Sequence, residues 1–368
     1  MATLSRASAL AEQTTLGPLH RGDRRDSETT LHSDFDPRQG VSGANGRQEN
    51  PLLTVRHLSV SFPTRDGIVQ AVNDVSFDLP SGRVLAILGE SGSGKSVLLR
   101  TILGIQPPTA QVTGEVWMND VNLLALNSKA RQAIRGAWIS MVFQNPMTAL
   151  DPVFTVEQQL IETIERHTDL KQSAARHRAL ELLQLVHIPS PEQRLKAYPF
   201  ELSGGMRQRV VIAMALACKP SLLLADEPTT ALDVTVQARV LELLRELQQE
   251  LHMSVVLVTH DVGVAAEIAD DVSVMYAGRI VESGSTDEIL RNPRHPYTRG
   301  LLGANIRPGQ QDRPLAIPGA PPNLMRLPTG CAFAARCGVV HEVCLEQMPP
   351  PVTVGSDHSV RCWEELQP

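Results

Sequence analysis

The feature that most limits what this chain can fold into is a glycine-rich segment that begins at Gly89. It reads Gly-Glu-Ser-Gly-Ser-Gly-Lys-Ser and matches the pattern G-x-x-x-x-G-K-[ST]. The segment follows the apolar run Val84–Leu88, which is typical of a strand buried inside an α/β sheet. It precedes a predicted helix over Ser96–Leu103, with Gly104 as its stop. A strand, this loop and a helix in that order predict a phosphate-binding loop in an α/β fold.

Each residue type in the loop has a physical role in binding phosphate. The glycines let backbone N–H groups converge on phosphate oxygens, and the start of the helix adds positive potential. Lys95 is expected to reach the β- and γ-phosphates, and Ser96 is expected to supply a ligand to Mg²⁺. The residues predicted to contact the nucleotide are Gly89, Ser91, Gly92, Ser93, Gly94, Lys95 and Ser96. A chance match is disfavoured because both flanking elements are correct.

A second apolar run, Leu222–Ala225, ends in the carboxylate pair Asp226 and Glu227. There Asp226 can assist Mg²⁺, and Glu227 can polarise a water molecule. An apolar run that ends in Asp-Glu is as often a core strand that meets a solvated turn. The functional interpretation of the pair therefore depends on the phosphate loop upstream. The two motifs together predict nucleotide hydrolysis.

A third motif, Leu202–Arg209, places Ser203, Gly204 and Gly205 at the start of a predicted helix. The start of a helix attracts anions, because its backbone N–H groups are unpaired and its dipole is positive there. The chain thus carries a second phosphate-binding element but a single phosphate loop.

Composition argues against several other classes of protein. The chain has 34 Lys and Arg against 40 Asp and Glu, a net charge of −6, which gives no overall attraction for nucleic acid or an anionic membrane. The longest apolar run, Val210–Cys218, is too short to span a bilayer. Residues 1–50 lack the apolar stretch of a secretory signal, and their scattered Arg, Asp, Ser and Gly predict a disordered cytoplasmic tail.

In this order, the motifs resemble those of the ATP-binding cassette (ABC) ATPases. The family's LSGG-type signature corresponds to Leu202–Gly205, and its Walker B pair corresponds to Asp226 and Glu227. The chain also has Gln144 after Val142-Phe143 and His260 after Leu257–Thr259. The resemblance implies that Gln144 links the γ-phosphate and Mg²⁺ to a helical subdomain and that His260 contacts the γ-phosphate. It implies catalytic roles for Glu227, His260 and Gln144.

The resemblance also implies paired nucleotide sites. In the family the signature residues, here Ser203–Gly205, act on a nucleotide held by a partner's phosphate loop, and Asp233 of Ala231-Leu232-Asp233 couples the two sites. We therefore expect a second ABC ATPase subunit, related but not identical, with a homodimer as the alternative. Phe62 stands where the family often has an adenine-stacking aromatic, usually Tyr, and it is equally consistent with a strand core residue.

Further stretches are similar to the peptide and nickel importer group: Asn145–Pro152, and Val281–Gly284 followed by Asn292–Leu302. This implies an ATPase subunit that powers import of oligopeptides or dipeptides, peripheral at the cytoplasmic face of the inner or plasma membrane. Its implied partners are two integral membrane permease subunits and an extracytoplasmic peptide-binding protein, with no nucleic acid. The alternatives are an importer of nickel or another small solute, and a soluble ABC ATPase acting on DNA or ribosomes.

Four of the five cysteines lie close together near the end of the chain, in the spacing C-x5-C-x6-C-x17-C. Without an export signal, clustered thiols favour metal or iron–sulfur ligation over disulfides. Some members of the resembled subfamily hold a four-iron, four-sulfur (4Fe–4S) cluster here, which implies Cys331, Cys337, Cys344 and Cys362 as its ligands. Zinc, with His341 or His358, and four reduced cysteines in a small core are the alternatives. Cys218 is expected to be a buried thiol.

The fold class that follows is α/β: an ABC-type P-loop NTPase core with an N-terminal antiparallel β subdomain, an inserted helical subdomain and a small C-terminal cysteine-rich module. Val156, Leu160 and Ile164 recur at helical spacing and predict the insertion. The expected domains are a disordered tail at 1–50, a nucleotide-binding domain at 51–302 with its helical subdomain at about 146–205, and the C-terminal module at 303–368.

Overall fold

The computed structural model describes residues 51–145, 149–230, 232–304, 317–355 and 357–366. The predicted disordered tail at 1–50 lies outside the described residues. The strands are β1 (Leu53–Thr64), β2 (Gly67–Leu79), β3 (Val84–Leu88), β4 (Gln111–Met118), β5 (Val121–Asn122), β6 (Ile139–Val142), β7 (Leu222–Asp226), β8 (Ser254–Thr259), β9 (Asp271–Tyr276), β10 (Arg279–Ser285), β11 (Val352–Val354) and β12 (His358–Val360). The α-helices are α1 (Lys95–Leu103), α2 (Ser128–Ile134), α3 (Val156–His167), α4 (Gln172–Leu185), α5 (Pro191–Leu195), α6 (Gly204–Ala215), α7 (Val234–Leu251), α8 (Val262–Ile268), α9 (Thr286–Arg291), α10 (Pro296–Gly303) and α11 (Glu342–Glu346).

The strands of the described residues form two sheets, and helices pack around them. The smaller sheet is antiparallel, in the order β2-β1-β4-β5. Its long strands β1 and β2 meet at a turn where Thr64 pairs with Gly67. The larger sheet has the order β11-β12-β10-β9-β3-β8-β7-β6. Within it β3, β6, β7, β8 and β9 pair in parallel, so the predicted mixed α/β fold is confirmed.

The central parallel strands are buried on both faces. Every residue of β3, β7 and β8 is buried, which matches their continuous apolar sequences. Because the carboxyl ends of parallel strands meet at one edge of a sheet, the segments that follow these strands lie next to one another. This arrangement brings the phosphate loop, the Asp226-Glu227 pair and His260 to a common edge.

Helices α3, α4 and α5 occupy the stretch where the sequence predicts a helical insertion. Thr155 caps α3 in a capping box with Gln158, and Val156, Leu160 and Ile164 are buried at the predicted helical spacing. Their apolar faces share one core with α6, α7 and one face of the parallel sheet. In the described part of the chain, no helix combines the length and apolarity needed to cross a membrane.

The C-terminal strands continue the main sheet. β12 pairs with β10 through Glu282 opposite Val360 and Ser283 opposite Ser359, and β11 pairs with β12. The side chain of Glu282 is fully buried, and its Oε1 lies 2.7 Å from Nε2 of His358. This edge and this buried pair join the end of the predicted C-terminal module to the main sheet.

Candidate nucleotide site

The phosphate loop needs glycine where the chain passes close to a neighbouring strand. Gly94, the residue before α1, has φ +103°, and a Cβ there would lie 2.0 Å from the carbonyl oxygen of Ala71. A side chain at this position would therefore be both strained and in collision. The loop runs from buried β3 directly into the first turn of α1, whose N–H groups have no partners within the helix.

The side chain of Lys95 lies inside the curve of the loop. Its Nζ donates to the carbonyl oxygens of Gly89 at 2.7 Å and Glu90 at 2.9 Å, and it lies 3.5 Å from Oγ of Ser93. Burial lowers the pKa of Lys95, while the carboxylates of Glu227, Asp226 and Glu90 act in the opposite direction and favour the ammonium form. An ammonium group held by backbone carbonyls can turn to phosphate oxygens when they arrive.

Ser96 and Asp226 form the second contact of the site, with Ser96 Oγ donating to Oδ1 of Asp226 at 2.8 Å. Asp226 is 1% exposed, and burial raises its pKa despite the hydrogen bond from Ser96. A hydroxyl and a carboxylate oxygen this close are the hard oxygen ligands that Mg²⁺ prefers, so the residues present fit that ion.

Glu227 is the centre of the third group. Its Oε2 accepts from Nε2 of Gln144 at 2.9 Å and from Oγ1 of Thr230 at 2.9 Å, and its Oε1 lies 3.2 Å from Nδ1 of His260. Burial acts to raise the pKa of Glu227, but the hydrogen bonds from Thr230 and His260 outweigh it and hold the pKa below its usual value. The structure thus brings together the three residues for which the resemblance implies catalysis, on an ionised carboxylate.

The signature residues lie at the start of α6. Ser203 is exposed and caps the helix, its Oγ accepting from the N–H of Met206 at 3.3 Å. A Cβ on Gly205 would lie 2.5 Å from Cγ1 of Val236, so the glycine permits the close approach of α6 to α7. Asp233 caps α7 by accepting from the N–H of Val236 at 3.0 Å, whereas Ala231 lies outside the described residues.

Three contacts of the site have no counterpart among the sequence predictions. Thr230 binds Glu227, and Tyr297 Oη accepts the backbone N–H of Glu90 at 2.9 Å. Arg336, from the C-terminal region, forms a two-fold hydrogen-bonded ion pair with the side chain of Glu90. Thr230 lies three residues after Glu227 and could have been found from that proximity. The other two contacts join segments about 200 or more residues apart and leave no local signal.

Phe62 lies on β1, opposite Val69, and packs partly buried against the core between the two sheets. This is the core position that the sequence offers as the alternative to adenine stacking. Cys218 is half-buried against the core of the helical region, and burial raises the pKa of its thiol.

The four clustered cysteines line one small cavity together with His341. Burial raises the pKa of three of the thiols, and that of Cys362 reaches about 11. His358, named with His341 for the zinc alternative, is instead paired with Glu282. No three or more His, Cys, Asp or Glu side chains of the described ranges are placed so that they could hold a metal ion. The thiols thus share a cavity without forming the compact shell of a single ion.

Comparison with known proteins places this geometry in a family. Residues 72–230 match the model "ABC transporter", and residues 281–344 match "Oligopeptide/dipeptide transporter, C-terminal region". The dipeptide transport ATP-binding protein DppD of Bacillus subtilis is 52% identical over 320 residues, which are 86% of this chain and 95% of that protein. The oligopeptide transport ATP-binding protein OppD of the same organism is 49% identical over 316 residues, 85% of this chain and 88% of that protein.

Solved structures give the same result for the fold. A dimeric post-hydrolysis state of an ATP-binding cassette bound to ADP and Pi is similar with a TM-score of 0.57 and 30% identity, over 64% of this chain and 98% of that one. The structure of cbiO1 from Clostridium perfringens, part of the ABC transporter complex cbiONQ, gives a TM-score of 0.58 and 29% identity, over 66% of this chain and 92% of that one. The chain therefore belongs to the ABC transporter family, in the group of oligopeptide and dipeptide transport ATP-binding proteins.

Proposed function

We propose that this chain binds and hydrolyses ATP and that hydrolysis powers import of oligopeptides or dipeptides through an ABC transporter complex. The observation that carries the proposal is the meeting of Lys95, the Ser96–Asp226 pair and Glu227 at one edge of the parallel sheet. The match of residues 281–344 to the peptide-transporter region supports peptides over nickel as cargo, and transport over a soluble ATPase acting on DNA or ribosomes.

Hydrolysis requires a water molecule in line with the bond between the β- and γ-phosphates of ATP. The ionised carboxylate of Glu227 would accept a proton from that water, whose oxygen bonds to the γ-phosphorus while ADP leaves. Gln144 and His260 hold the carboxylate from two sides and would orient it toward the γ-phosphate. Lys95 would stabilise the charge that develops on the phosphate oxygens.

We assign the Mg²⁺ site to Ser96, Asp226 and the amide oxygen of Gln144. The Nε2 of Gln144 is engaged with Glu227, which leaves its oxygen for a cation. When bound, Mg²⁺ neutralises charge on the β- and γ-phosphate oxygens. The buried Asp226 carboxylate is then matched by a positive charge instead of a single hydroxyl.

Two cassettes would share each nucleotide. Ser203 is exposed at the start of a twelve-residue helix, so the unpaired N–H groups of that first turn are open to an anion from outside the chain. We propose that Ser203, Gly204 and Gly205 act on ATP held by a second ABC ATPase subunit, related but not identical. A similar solved cassette is itself a dimer, which supports this arrangement.

The integral membrane subunits would dock on a groove between the sheet and the signature helix. Its walls include Met141, Phe143, Ala149, Val211 and Met214, and Phe143 is 39% exposed beside Gln144. Any movement of Gln144 that follows ATP binding would be transmitted to a permease segment bound in this groove. The chain would then sit peripherally on the cytoplasmic face of the membrane, and an extracytoplasmic peptide-binding protein would deliver the cargo.

The test is reconstitution of the full complex in proteoliposomes. The chain is co-expressed with the second cassette and both permease subunits, and uptake of labelled di- and oligopeptides is measured with binding protein and internal ATP. We expect ATP-dependent peptide uptake, and none of it when ATP is replaced by a non-hydrolysable analogue. Uptake of Ni²⁺ in place of peptides, or failure of the chain to join the membrane complex, would refute the proposal.

We also propose, as the resemblance implies, that Cys331, Cys337, Cys344 and Cys362 hold a 4Fe–4S cluster. What supports the proposal is that the four thiols line one cavity. Protein purified without oxygen should be brown and contain iron and acid-labile sulfide. One zinc ion per protein chain, without sulfide, would indicate a zinc site instead. A protein that contains neither iron–sulfur nor zinc would indicate four reduced thiols. We expect the cluster to be structural, because ATP hydrolysis requires no electron transfer.

We divide the chain into a nucleotide-binding domain at 51–302, with its helical subdomain at about 146–205, and a C-terminal module at 303–368. Phe62, near the end of β1, is proposed to stack on adenine, and Asp233 to couple the paired sites.

A further inference from the structure

The second residue of the phosphate loop, Glu90, is acidic, although the loop binds a polyanion. A carboxylate in this position repels phosphate unless a positive charge compensates it. The compensating charge comes from the far end of the chain. Arg336 Nη1 donates to Oε2 of Glu90 at 2.8 Å, and Nη2 donates to Oε1 at 3.0 Å. This paired geometry is the strongest form of an arginine–carboxylate contact.

Arg336 is held rigidly and is not a mobile surface side chain. Its side chain is 5% exposed, its Nε donates to the carbonyl oxygen of Pro318 at 2.8 Å, and Nη1 lies 3.2 Å from Oη of Tyr276. The guanidinium lies 5.8 Å from the ring centres of Tyr276 and Phe333. Arg336 is buried and Glu90 is 26% exposed, so solvent screens this ion pair less than it screens a pair on the open surface.

The same part of the molecule also holds the backbone of the loop. The N–H of Glu90 donates to Oη of Tyr297 at 2.9 Å, and the ring of Tyr297 packs 4.5 Å from Tyr276 and 5.4 Å from Phe333 between ring centres. Arg336 follows Phe333 in one 3₁₀ turn, Ala334–Arg336, which lies between Cys331 and Cys337. Residues of the matched region 281–344 therefore fix both the charge and the path of the loop at Glu90.

Glu90 also influences the residue that binds phosphate. Its carboxylate attracts the ammonium of Lys95, and Lys95 Nζ donates to the carbonyl oxygen of Glu90 at 2.9 Å. Without Arg336, the Glu90 carboxylate would stand beside the loop without a compensating cation, where it would repel the phosphates and compete with them for Lys95. Arg336 prevents both effects.

We propose that Arg336 is a positioning residue for nucleotide binding: it neutralises Glu90 and holds the start of the phosphate loop, so the C-terminal region sets part of the affinity for ATP. This inference rests on the proposed function, since it concerns the loop that binds ATP. It assigns to the peptide-transporter region a direct effect on the nucleotide of its own chain.

The test measures binding of a fluorescent ATP analogue to the full chain. From the charge interaction across the loop, Arg336→Ala should raise the Kd about tenfold. Glu90→Gln should leave the Kd within about threefold of wild type, because it removes the repelling charge. The decisive variant carries both changes: if Arg336 acts by neutralising Glu90, adding Glu90→Gln to Arg336→Ala restores most of the lost affinity. A purely structural role for Arg336 predicts no such restoration.

Matched controls separate this effect from general damage. Arg83→Ala removes an ion pair of similar length, 3.0 Å to Asp271, at the opposite end of β3, and should leave the Kd unchanged. If Arg336→Ala does not fold, as judged by its thermal transition, Arg336→Lys with and without Glu90→Gln replaces it. Wild-type affinity in the Arg336 variant, or no restoration in the double variant, would overturn the inference. Lys95→Ala should abolish binding in every background, and a wild-type chain that binds no ATP would contradict the proposed function itself.

Discussion

Glu227 has an unusual backbone for a residue with a side chain, with φ at +47°. The left-handed conformation is rare outside glycine, so it is retained only where surrounding contacts fix it. Here its N–H donates to the carbonyl of Val258 at 2.9 Å, and its carboxylate faces Gln144, Thr230 and His260. The conformation turns the carboxylate out of the end of β7 toward the place where the γ-phosphate is expected.

Glu227→Gln should keep ATP bound and slow its hydrolysis, because the amide has nearly the same shape but cannot accept a proton. We expect turnover to fall by roughly 10²–10⁴-fold, the usual contribution of a general base. The measurement is ATP turnover of the assembled complex, with retained nucleotide counted separately. Turnover equal to wild type would contradict the role of Glu227, unless the partner cassette is shown to supply most of it.

Ser203→Arg should impair the proposed shared nucleotide site and leave ATP binding by the isolated chain intact, because we propose that Ser203 acts on a nucleotide held by the partner subunit. Loss of the helix cap alone costs about 1 kcal/mol. Ser285→Arg controls for that loss, since Ser285 caps α9 with the same 3.3 Å contact, to the N–H of Glu288. Complex turnover should fall only for Ser203→Arg. Equal loss of affinity in the isolated Ser203 variant would indicate that the signature works within its own chain.

The site residues that lie in short local motifs could be predicted from the sequence. The phosphate loop directly follows β3, Asp226 ends β7 and Glu227 follows it, a pattern that fixes their place at the sheet edge. The partner of Glu90 could not be found in this way. Arg336 is 246 residues away, and the contact depends on how the C-terminal region packs, which no local pattern encodes.

Among the helices and strands too, features encoded by local sequence could be predicted, and pairings between distant segments could not. The predicted helix after the phosphate loop ends as expected, since Gly104 takes φ +70° and closes α1. The sequence does not predict strand β4, because its first five residues are mostly exposed and its apolar residues do not alternate regularly. The pairing of β12 with β10 could not be predicted either, because the register between distant strands depends on the whole fold.

The β10–β12 junction leads to a prediction about stability. Glu282 is fully buried, and among the described residues its carboxylate accepts, apart from the contact with His358, the backbone N–H groups of Arg294 and His295. His358→Ala leaves that carboxylate without its side-chain partner and should lower the free energy of unfolding by about 3 kcal/mol. Chemical denaturation gives the value, and hydrogen exchange of 352–360 shows whether this edge opens first.

A histidine in a similar but exposed pair serves as the control for this measurement. His341 lies 3.3 Å from Glu364, and both side chains are 41% exposed. His341→Ala should change the free energy of unfolding by less than about 1 kcal/mol. Equal effects of the two substitutions would show that the buried pair contributes nothing beyond a surface contact.

For the whole molecule, the charge balance limits how it reaches a membrane. A net charge of −6 gives no attraction to anionic lipid, and no helix in the described ranges could span a bilayer. In flotation assays the chain should remain with the aqueous fraction when vesicles contain anionic lipid alone. It should float when the vesicles contain the two permease subunits. Equal flotation with lipid alone would show that the chain binds membranes without its partners.

The short C-terminal strands also cover a sheet edge that could otherwise pair with another copy of the chain. β11, three residues long, now forms the outer border of the eight-stranded sheet, and β12 covers the seven-residue strand β10. Removal of both strands would leave the backbone N–H and C=O groups along β10 free to pair with another chain, which promotes aggregation. A truncated protein would thus lose solubility for a reason unrelated to ATP. Point substitutions at Arg336 and Glu90 avoid that confusion, because they leave the border of the sheet in place.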